Sequence, residues 1–320
     1  MTASPATGSA ATLDQQRRAE NFPVSLRVLP RTLRQDLVAV YDVVRVIDNL
    51  GDEASGDRLA LLDDFAADQH RAFTAGQADA EVLRRLVPTI RRRELSEQPL
   101  LDLIEANRTD QRTFRYASFD DLVGYCRLSA VPIGRLVLQI FGYPQPELAA
   151  LSDDVCTALQ ILEHCQDVAE DYRRGRIYLP QQDLRAFAVT EADLTAGSAG
   201  QELRALVNRE VDRCERLLDS GDELVGRLRG WGRLAIAGYL AGGRATVTAI
   251  RQAGGDVLST VPKPSRWTTA RYALRLLAAR RRRNPKDRPD SQHRPDSQDR
   301  PDSQGRPDSQ HRLHSQDRGR

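Results

Sequence analysis

Lysine, methionine, tryptophan and cysteine are all scarce in this sequence of 320 residues. Lysine occurs only at Lys263 and Lys286, and there are one methionine, two tryptophans and four cysteines. The cysteines form no C-x-x-C pair, so the sequence gives no indication of a zinc knuckle or of a disulfide framework. We therefore expect a protein of the reducing cytoplasm.

Long apolar segments are also missing. No uninterrupted apolar run approaches the roughly 18 residues that indicate a membrane-spanning helix. The first residues contain neither the basic stretch nor the apolar core of a signal peptide. We expect a protein that is neither exported nor membrane-spanning.

The formal net charge of +2 hides an uneven distribution. Residues 280–320 contain 12 Lys or Arg against 7 Asp, so the residues before them carry a net charge of −3. Nucleic-acid binding requires a clustered basic surface on the folded domain. We therefore expect no nucleic-acid partner.

Alanine and leucine dominate the first 280 residues, and apolar residues recur at helical spacing while strand patterns are rare. The sequence predicts a single all-α domain over residues 15–283. Residues 1–14 are small and polar, and we expect them to be disordered. Residues 284–320 contain four copies of R-P-D-S-Q-x and a degenerate fifth copy, and we expect a disordered tail because this repeat cannot form a core.

The segment over residues 160–180 predicts a helix with acidic groups on a face where core residues are expected. Its polar residues follow at steps of three, four and four, which places them in one stripe of a helix. They are Gln160, Glu163, Asp167 and Asp171. The other faces are apolar, and buried carboxylates persist only where neighbouring groups compensate them. A positive group is therefore expected beside this stripe.

A second stripe of the same kind lies in residues 37–53. Its members are Tyr41, Arg45, Asp48 and Asp52. A single D-x-x-x-D helix is more often a solvated charged face, but two such stripes on apolar helices suggest that the helices face each other. Aspartates one turn apart offer the hard oxygen ligands that Mg²⁺ takes together with water and phosphate oxygens. We therefore predict Mg²⁺ ligands at Asp48, Asp52, Asp167 and Asp171.

Several motifs resemble one enzyme family. DNLGD (residues 48–52), QDVAED (166–171), GRIYLP (175–180), NFPVSLRVLP (21–30) and YCRLSAVPIGRLVL (125–138) resemble the squalene and phytoene synthases. The similarity is greatest to the bacterial hopanoid-pathway branch, the hydroxysqualene synthases, and covers about residues 20–275. It implies the single-domain helical fold of isoprenoid synthases, with a central cavity. It also implies Mg²⁺-dependent conversion of presqualene diphosphate to hydroxysqualene with release of diphosphate.

The resemblance assigns roles to individual residues. Catalytic roles fall on the four aspartates and on Tyr125, which would line the reaction cavity. Tyr125 begins a segment that predicts one helix kinked at Pro132, although a tyrosine packed in the core is an equally common arrangement. Substrate contacts fall on a larger polar set: Asn21, Tyr41, Arg45, Gln160, Glu163, Arg176 and Tyr178. Which of the three arginines after the second motif points inward is left open.

The sequence departs from the family pattern at Asn49, Glu163 and Gln166. These changes argue against the complete two-step synthesis and suit an enzyme that performs one half of it. Such an enzyme would work beside a presqualene diphosphate synthase and a hydroxysqualene reductase. No glycine-rich dinucleotide fingerprint follows a strand, so we expect no nicotinamide cofactor. The alternatives are condensation of two farnesyl diphosphates to presqualene diphosphate or squalene, and a noncatalytic helical scaffold that binds membrane or nucleic acid.

The segment over residues 265–283 predicts a basic amphipathic helix. It combines Trp267 and Leu274 with a series of arginines. Helices of this kind often lie on anionic membranes, which would place the protein peripherally on the inner face of the plasma membrane. Packing on the domain with a basic outer face is an equally good interpretation.

Overall fold

Helices connected by short loops form the part of the chain that the computed structural model describes, residues 29–279. In chain order they are α1 (Arg31–Asp52), α2 (Arg58–Thr74), α3 (Glu81–Arg93), α4 (Gln98–Asp110), α5 (Phe119–Ser129), α6 (Val131–Ile140), α7 (Pro146–Gln166), α8 (Val168–Arg173), α9 (Gln181–Ala186), a 3₁₀ helix (Glu191–Thr195), α10 (Gln201–Arg227), α11 (Gly230–Gln252) and α12 (Arg266–Ala278). Within these residues the β-structure is limited to one isolated bridge, between Arg115 and Ile177. The prediction of an all-α fold is confirmed.

Some predictions from the sequence concern residues outside the described range. They are the predicted disorder of residues 1–14 and 284–320, the predicted substrate contact of Asn21, and the predicted end of the basic helix at residues 280–283. Between residues 29 and 279, no helix combines the length and the apolarity required to cross a bilayer.

The centre of the domain is the packing of α7 against α10. The inward side of α7 is fully buried from Val155 to Cys165, and α10 contributes its own buried row from Leu203 to Leu218. Truncating a leucine or isoleucine at such a position to alanine typically costs about 2–5 kcal/mol. The second acidic motif therefore begins at the end of one of the most firmly held helices.

The predicted helix over residues 160–180 is not continuous, which corrects the sequence analysis. α7 ends at Gln166, Asp167 has φ −102° and ψ 15°, and α8 then runs for six residues. The side-chain amide of Gln166 donates a hydrogen bond to the carbonyl of Pro262, which is distant in sequence. Asp167 therefore lies at a junction between two helices.

The helix predicted to kink at Pro132 is also two helices. Ala130 separates α5 from α6, and Pro132 lies in the first turn of α6, where a proline costs no internal hydrogen bond. α5 begins with a capping box in which Ser118 and Asp121 bond to each other's backbone amides. The junction places Ser129 and Ala130, two small residues, next to a cavity described below.

α1 is fixed to α3 by a buried carboxylate. Asp36 has no solvent exposure and accepts hydrogen bonds from Arg92, from Arg93 at 2.7 Å and from the hydroxyl of Thr89 at 3.0 Å. Burial acts to raise the pKa of Asp36, but the hydrogen bonds from these three side chains outweigh it and the pKa is lowered. A buried charge satisfied in this way fixes the position of α1 in the fold.

α1 also lies close to α4, at Gly51 in the first acidic motif. A Cβ atom on Gly51 would lie 2.0 Å from Oδ1 of Asn107, so a larger residue fits here only if the Asn107 side chain moves. Gln111 donates a hydrogen bond of 2.9 Å to the carbonyl of Gly51. The glycine of DNLGD therefore has a packing role that holds the aspartates of the motif beside α4.

Candidate active site

A buried cluster of tyrosines surrounds the carboxylate of Asp110, the last residue of α4. The hydroxyl of Tyr125 donates to Oδ2 at 2.8 Å, and that of Tyr178 donates to Oδ1 at 3.4 Å. The ring of Tyr116 lies 5.3 Å from that of Tyr125 and 5.7 Å from that of Tyr178. Burial raises the pKa of Asp110, and the Tyr125 hydroxyl and the Arg176 guanidinium limit this rise. The carboxylate therefore orients two tyrosine rings at once.

Two segments of chain run side by side to form this cluster. The amide of Ile177 donates to the carbonyl of Phe114 at 2.9 Å, and the amide of Gln181 donates to that of Tyr116 at 2.8 Å. These bonds place the GRIYLP motif against the connection between α4 and α5. Tyr178 is consequently stacked on Tyr116, with an angle of 18° between the rings.

Arg176 connects the two acidic motifs. Its guanidinium lies 3.1 Å from Oδ1 of Asp52, and its side chain is 15% exposed while that of Asp52 is 48% exposed. Arg174 instead pairs with Glu170 at 2.7 Å, and both Arg173 and Arg174 are exposed. Of the three arginines that the sequence left open, Arg176 is the one that points inward.

Negative charge is concentrated at the second acidic motif. Burial raises the pKa of Asp167, and the neighbouring carboxylates of Asp171 and Glu170 raise it further. Asp171 lies 3.9 Å from Nδ1 of His164. A cation placed near Asp167 and Asp171 would relieve this repulsion.

The first motif lies on a half-buried face of α1. Tyr41, Arg45 and Asp48 are each partly exposed, and Asp52 is open to solvent at the end of the helix. Arg45 lies 4.0 Å from Glu53. The predicted stripe therefore exists as one face, and it ends at the ion pair between Asp52 and Arg176.

The donor set fits a divalent ion in an open site. Between residues 29 and 279, no three His, Cys, Asp or Glu side chains are grouped closely enough to hold a metal ion by themselves. Mg²⁺ commonly uses only one or two carboxylates and takes its other ligands from water and substrate phosphates. The crowded carboxylates at Asp167 and a buried Oδ1 of Asn49, which has no hydrogen-bond partner in the described part of the chain, both fit such an ion. Asp48, Asp52, Asp167 and Asp171 could hold it.

An apolar cavity of about 210 Å³ lies between the α5–α6 junction, α7, α10 and α11. Its walls include Ile133, Val137, Val155, Leu159, Leu224 and Ile236. Gly134 also lines it, and a Cβ atom there would lie 2.5 Å from Cys156 Sγ and from Ser152 Oγ, so the glycine permits the close approach of α6 to α7. Gln160 and Glu163 are the polar residues where the cavity meets the acidic motif. The cavity thus suits an apolar chain attached to a charged group.

A chain of contacts connects the cavity to the tyrosine cluster. Gln160 lies 3.3 Å from His164, measured between the two Nε2 atoms. The His164 ring stacks on that of Tyr178 with 3.7 Å between centroids. Tyr125 donates a hydrogen bond to Asp110 and is not one of the residues that line the cavity.

Sequence reasoning missed Asp110 and Tyr116. Asp110 falls in a stretch that reads as polar, but it follows Leu103 and Asn107 at helical spacing and so shares their buried face. This helical spacing is the feature of the sequence that could have indicated the burial of Asp110. Tyr116 offered no comparable one, because its position depends on the pairing of two distant segments.

Comparisons with known proteins identify the class. A family model for squalene/phytoene synthase matches residues 15–268. The chain is 30% identical to a hydroxysqualene synthase of Sinorhizobium fredii over 227 residues, which are 70% of this chain and 76% of that protein. It is 34% identical to a hydroxysqualene synthase of Zymomonas mobilis over 209 residues, which are 62% of this chain and 67% of that one.

Solved structures give the same result. The crystal structure of the squalene synthase HpnC from Alicyclobacillus acidocaldarius is 43% identical, with a TM-score of 0.70 over 76% of this chain and 94% of that chain. A dehydrosqualene synthase with bound ligand, at 22% identity, has a TM-score of 0.75 and shares the fold. The protein is therefore an isoprenoid synthase of the prenyltransferase type. The chain belongs to the squalene/phytoene synthase family, as its motifs predicted.

Proposed function

We propose that the protein converts presqualene diphosphate to hydroxysqualene, with release of diphosphate, in a Mg²⁺-dependent step of hopanoid biosynthesis. The observation that carries this proposal is the similarity to relatives named hydroxysqualene synthase along most of the domain. The geometry supports it, because the apolar cavity reaches Gln160 and Glu163 near the end of α7, where the second acidic motif begins, and Arg176 pairs with Asp52 of the first motif. An enzyme that makes presqualene diphosphate would supply the substrate, and a hydroxysqualene reductase would consume the product.

The charged end would bind the leaving diphosphate. Arg176 is held by Asp52 and by the field of Asp110, so its guanidinium remains charged and has few alternative orientations. A guanidinium binds phosphate oxygens through paired hydrogen bonds. Arg45 and Tyr41, on the same face of α1 as Asp48, would donate further bonds. Mg²⁺ bound to the four aspartates would supply Lewis-acid neutralisation of the charge that develops on the leaving group.

The apolar cavity would protect the carbocation. Cleavage of the carbon–oxygen bond leaves a cation that rearranges, and one water molecule must then attack it and lose a proton. Glu163 lines the cavity next to the acidic motif and would accept that proton. His164 is buried behind it, stacked on Tyr178, which suits a supporting role. The balanced reaction is presqualene diphosphate plus water to hydroxysqualene, diphosphate and a proton, and it requires no reductant.

A product assay tests the proposal. Presqualene diphosphate is supplied with Mg²⁺, with and without a reduced nicotinamide, and the products are identified by mass spectrometry. Hydroxysqualene in both samples is the expected result. Squalene formed only with the nicotinamide would overturn water capture, and no consumption of presqualene diphosphate would overturn the substrate assignment.

The second candidate is condensation of two farnesyl diphosphates to presqualene diphosphate or squalene. It is favoured by 31% identity over 257 residues to the 15-cis-phytoene synthase of Synechococcus elongatus, which covers 75% of this chain and 82% of that one. The departures at Asn49, Glu163 and Gln166 weigh against it. Assays with each diphosphate supplied separately distinguish the two candidates. Consumption of farnesyl diphosphate without consumption of presqualene diphosphate would establish the second candidate. Consumption of neither substrate would favour a noncatalytic scaffold.

A further inference from the structure

The outward face of α12 is more apolar than an ordinary solvent-facing helix. Trp267 is 88% exposed and Leu274 is 68% exposed. These two residues are seven positions apart and therefore lie on one face, with the exposed Ala270 and Ala278 between and beyond them. An exposed tryptophan and leucine in one stripe indicate a surface that binds a partner.

The same surface is purely basic. Residues 257–279 contain Lys263, Arg266, Arg271 and Arg275 and no acidic residue, and the sequence continues with four arginines at 280–283. None of the three α12 arginines forms an ion pair with another residue between 29 and 279. Their charges remain available to an anionic partner.

α12 is held firmly on the domain by its other face. Leu276 is buried in the core, and Tyr272, Ala273 and Leu277 are partly buried and pack against it. The guanidinium of Arg233 in α11 donates to the carbonyls of Leu276, Leu277 and Ala279 at the end of α12. This contact brings the start of α11 beside the end of α12. Trp231 and Leu234, 40% and 39% exposed, are contributed by that start.

We propose that this surface, formed by the outward face of α12 and the first turn of α11, binds an anionic phospholipid bilayer. Tryptophan and arginine together suit the boundary between headgroups and acyl chains. A second copy of the chain fits less well, because a symmetric dimer through this face would oppose one basic surface to another. α11 also lines the apolar cavity with Ile236 and Tyr239, so the cavity would lie close to the bilayer.

The tryptophan content allows a direct test. The chain has two tryptophans, and both belong to this surface. With Trp231→Phe in the full chain, Trp267 becomes the sole tryptophan. Its fluorescence is titrated with vesicles of phosphatidylcholine alone and with vesicles containing phosphatidylglycerol. A blue shift on the anionic vesicles, weakened by salt, is expected.

Two double variants separate the contributions of charge and of apolar side chains. In the Trp231→Phe background, Arg271→Gln/Arg275→Gln is expected to weaken partitioning to anionic vesicles about tenfold or more. Arg185→Gln/Arg216→Gln removes the same charge from exposed positions elsewhere and should have little effect. Trp267→Ser/Leu274→Ser in the parent chain, measured by vesicle flotation, should also weaken binding. Circular dichroism verifies that each variant is folded.

The outcomes decide the proposal. Equal partitioning to neutral and anionic vesicles, no binding to either, or equal losses in the two arginine variants would overturn it. So would a dimer that Trp267→Ser/Leu274→Ser dissociates while vesicle binding is unchanged, since the surface would then belong to a second copy. None of these measurements requires turnover, so they are independent of the proposed reaction.

Discussion

Asp110 is the residue that holds the buried tyrosine cluster together. Replacing it with alanine leaves two tyrosine hydroxyls without their acceptor, and hydrogen bonds to a charged group contribute about 1.5–3 kcal/mol. We expect Asp110→Ala to lower the free energy of unfolding by about 2–3 kcal/mol, and Asp110→Asn by less. Diphosphate release should fall at least about tenfold in both, because the Tyr125 and Tyr178 rings are no longer oriented.

Tyr116 provides the matched control. Its hydroxyl is buried but has no hydrogen-bond partner in the described part of the chain, so Tyr116→Phe should change neither stability nor turnover appreciably. Urea unfolding and a diphosphate-release assay measure both quantities. An Asp110→Ala variant as stable as the parent would contradict the role given to this carboxylate.

A separate prediction concerns the aspartates of the two acidic motifs. Asp48→Asn and Asp167→Asn each remove a charged oxygen ligand with little change in volume. We expect each to reduce Mg²⁺-dependent diphosphate release by about a hundredfold or more, which corresponds to several kcal/mol of transition-state stabilisation. The melting temperature should stay near that of the parent.

The exposed Asp64→Asn, on α2, removes the same charge from a position away from both motifs and serves as the control. Parent-like rates in both motif variants would contradict the Mg²⁺ site. The metal role of these aspartates stays a prediction until then.

At the residue scale, the sequence located what lies in motifs and missed what depends on distant pairing. Arg176 and Tyr178 were found because they belong to GRIYLP. Helical spacing indicates that Asp110 is buried, but it does not indicate that Tyr125 and Tyr178 converge on it, because different segments bring the two tyrosines together. Local spacing contains no information about such a contact.

At the scale of elements, Gly51 determines how closely α1 can approach α4. Gly51→Ala would force its new Cβ against Asn107, whose Oδ1 lies 2.0 Å from that position. We expect a loss of about 1–3 kcal/mol in the free energy of unfolding. The loss should shrink in an Asn107→Ala background, where the space is available.

A helical glycine with free space around it gives the opposite expectation. A Cβ atom on Gly124 in α5 meets nothing within 4 Å, so Gly124→Ala should stabilise the protein by up to about 1 kcal/mol through helix propensity. Chemical unfolding of Gly51→Ala, Asn107→Ala, the double variant and Gly124→Ala measures these changes in the free energy of unfolding. A Gly51→Ala variant that is as stable as Gly124→Ala would show that the contact with Asn107 adapts freely.

The break at Asp167 could not be predicted from the sequence. Apolar residues continue at helical spacing from Ile161 through Cys165 to Val168, and neither glycine nor proline interrupts them. The contact of Gln166 with Pro262, across 96 positions of sequence, lies at the break. Helix boundaries set by such tertiary contacts are invisible to periodicity.

At the scale of the whole molecule, Glu210 links stability to pH. It is fully buried in α10, beside Arg213, which also pairs with Asp183 at 2.7 Å. Burial raises the pKa of Glu210 from 4.5 to about 7. The folded state therefore binds a proton at Glu210 more tightly than the unfolded state does. The contribution of this proton to the free energy of unfolding is fully present below pH 4.5 and is lost as the pH rises through about 7.

Glu210→Gln removes this titration while Arg213 keeps Asp183 as its partner. Between pH 5 and pH 8 we expect the parent to lose about 1–3 kcal/mol of unfolding free energy relative to the variant. Urea titrations at both pH values measure the difference. A variant that follows the parent at every pH would show that Glu210 does not control the pH dependence.

The tyrosine cluster has a consequence for spectroscopy. Three of the eight tyrosines have rings with centroids within 5.7 Å of one another in fixed orientations around Asp110, whereas both tryptophans lie on the α11–α12 surface. Near-ultraviolet circular dichroism detects aromatic side chains held in fixed asymmetric packing. Changes in the order around Asp110 should therefore alter the tyrosine band, and changes at the α11–α12 surface should alter the tryptophan band. A single unlabelled sample would thus report separately on two distinct regions of the protein during one titration.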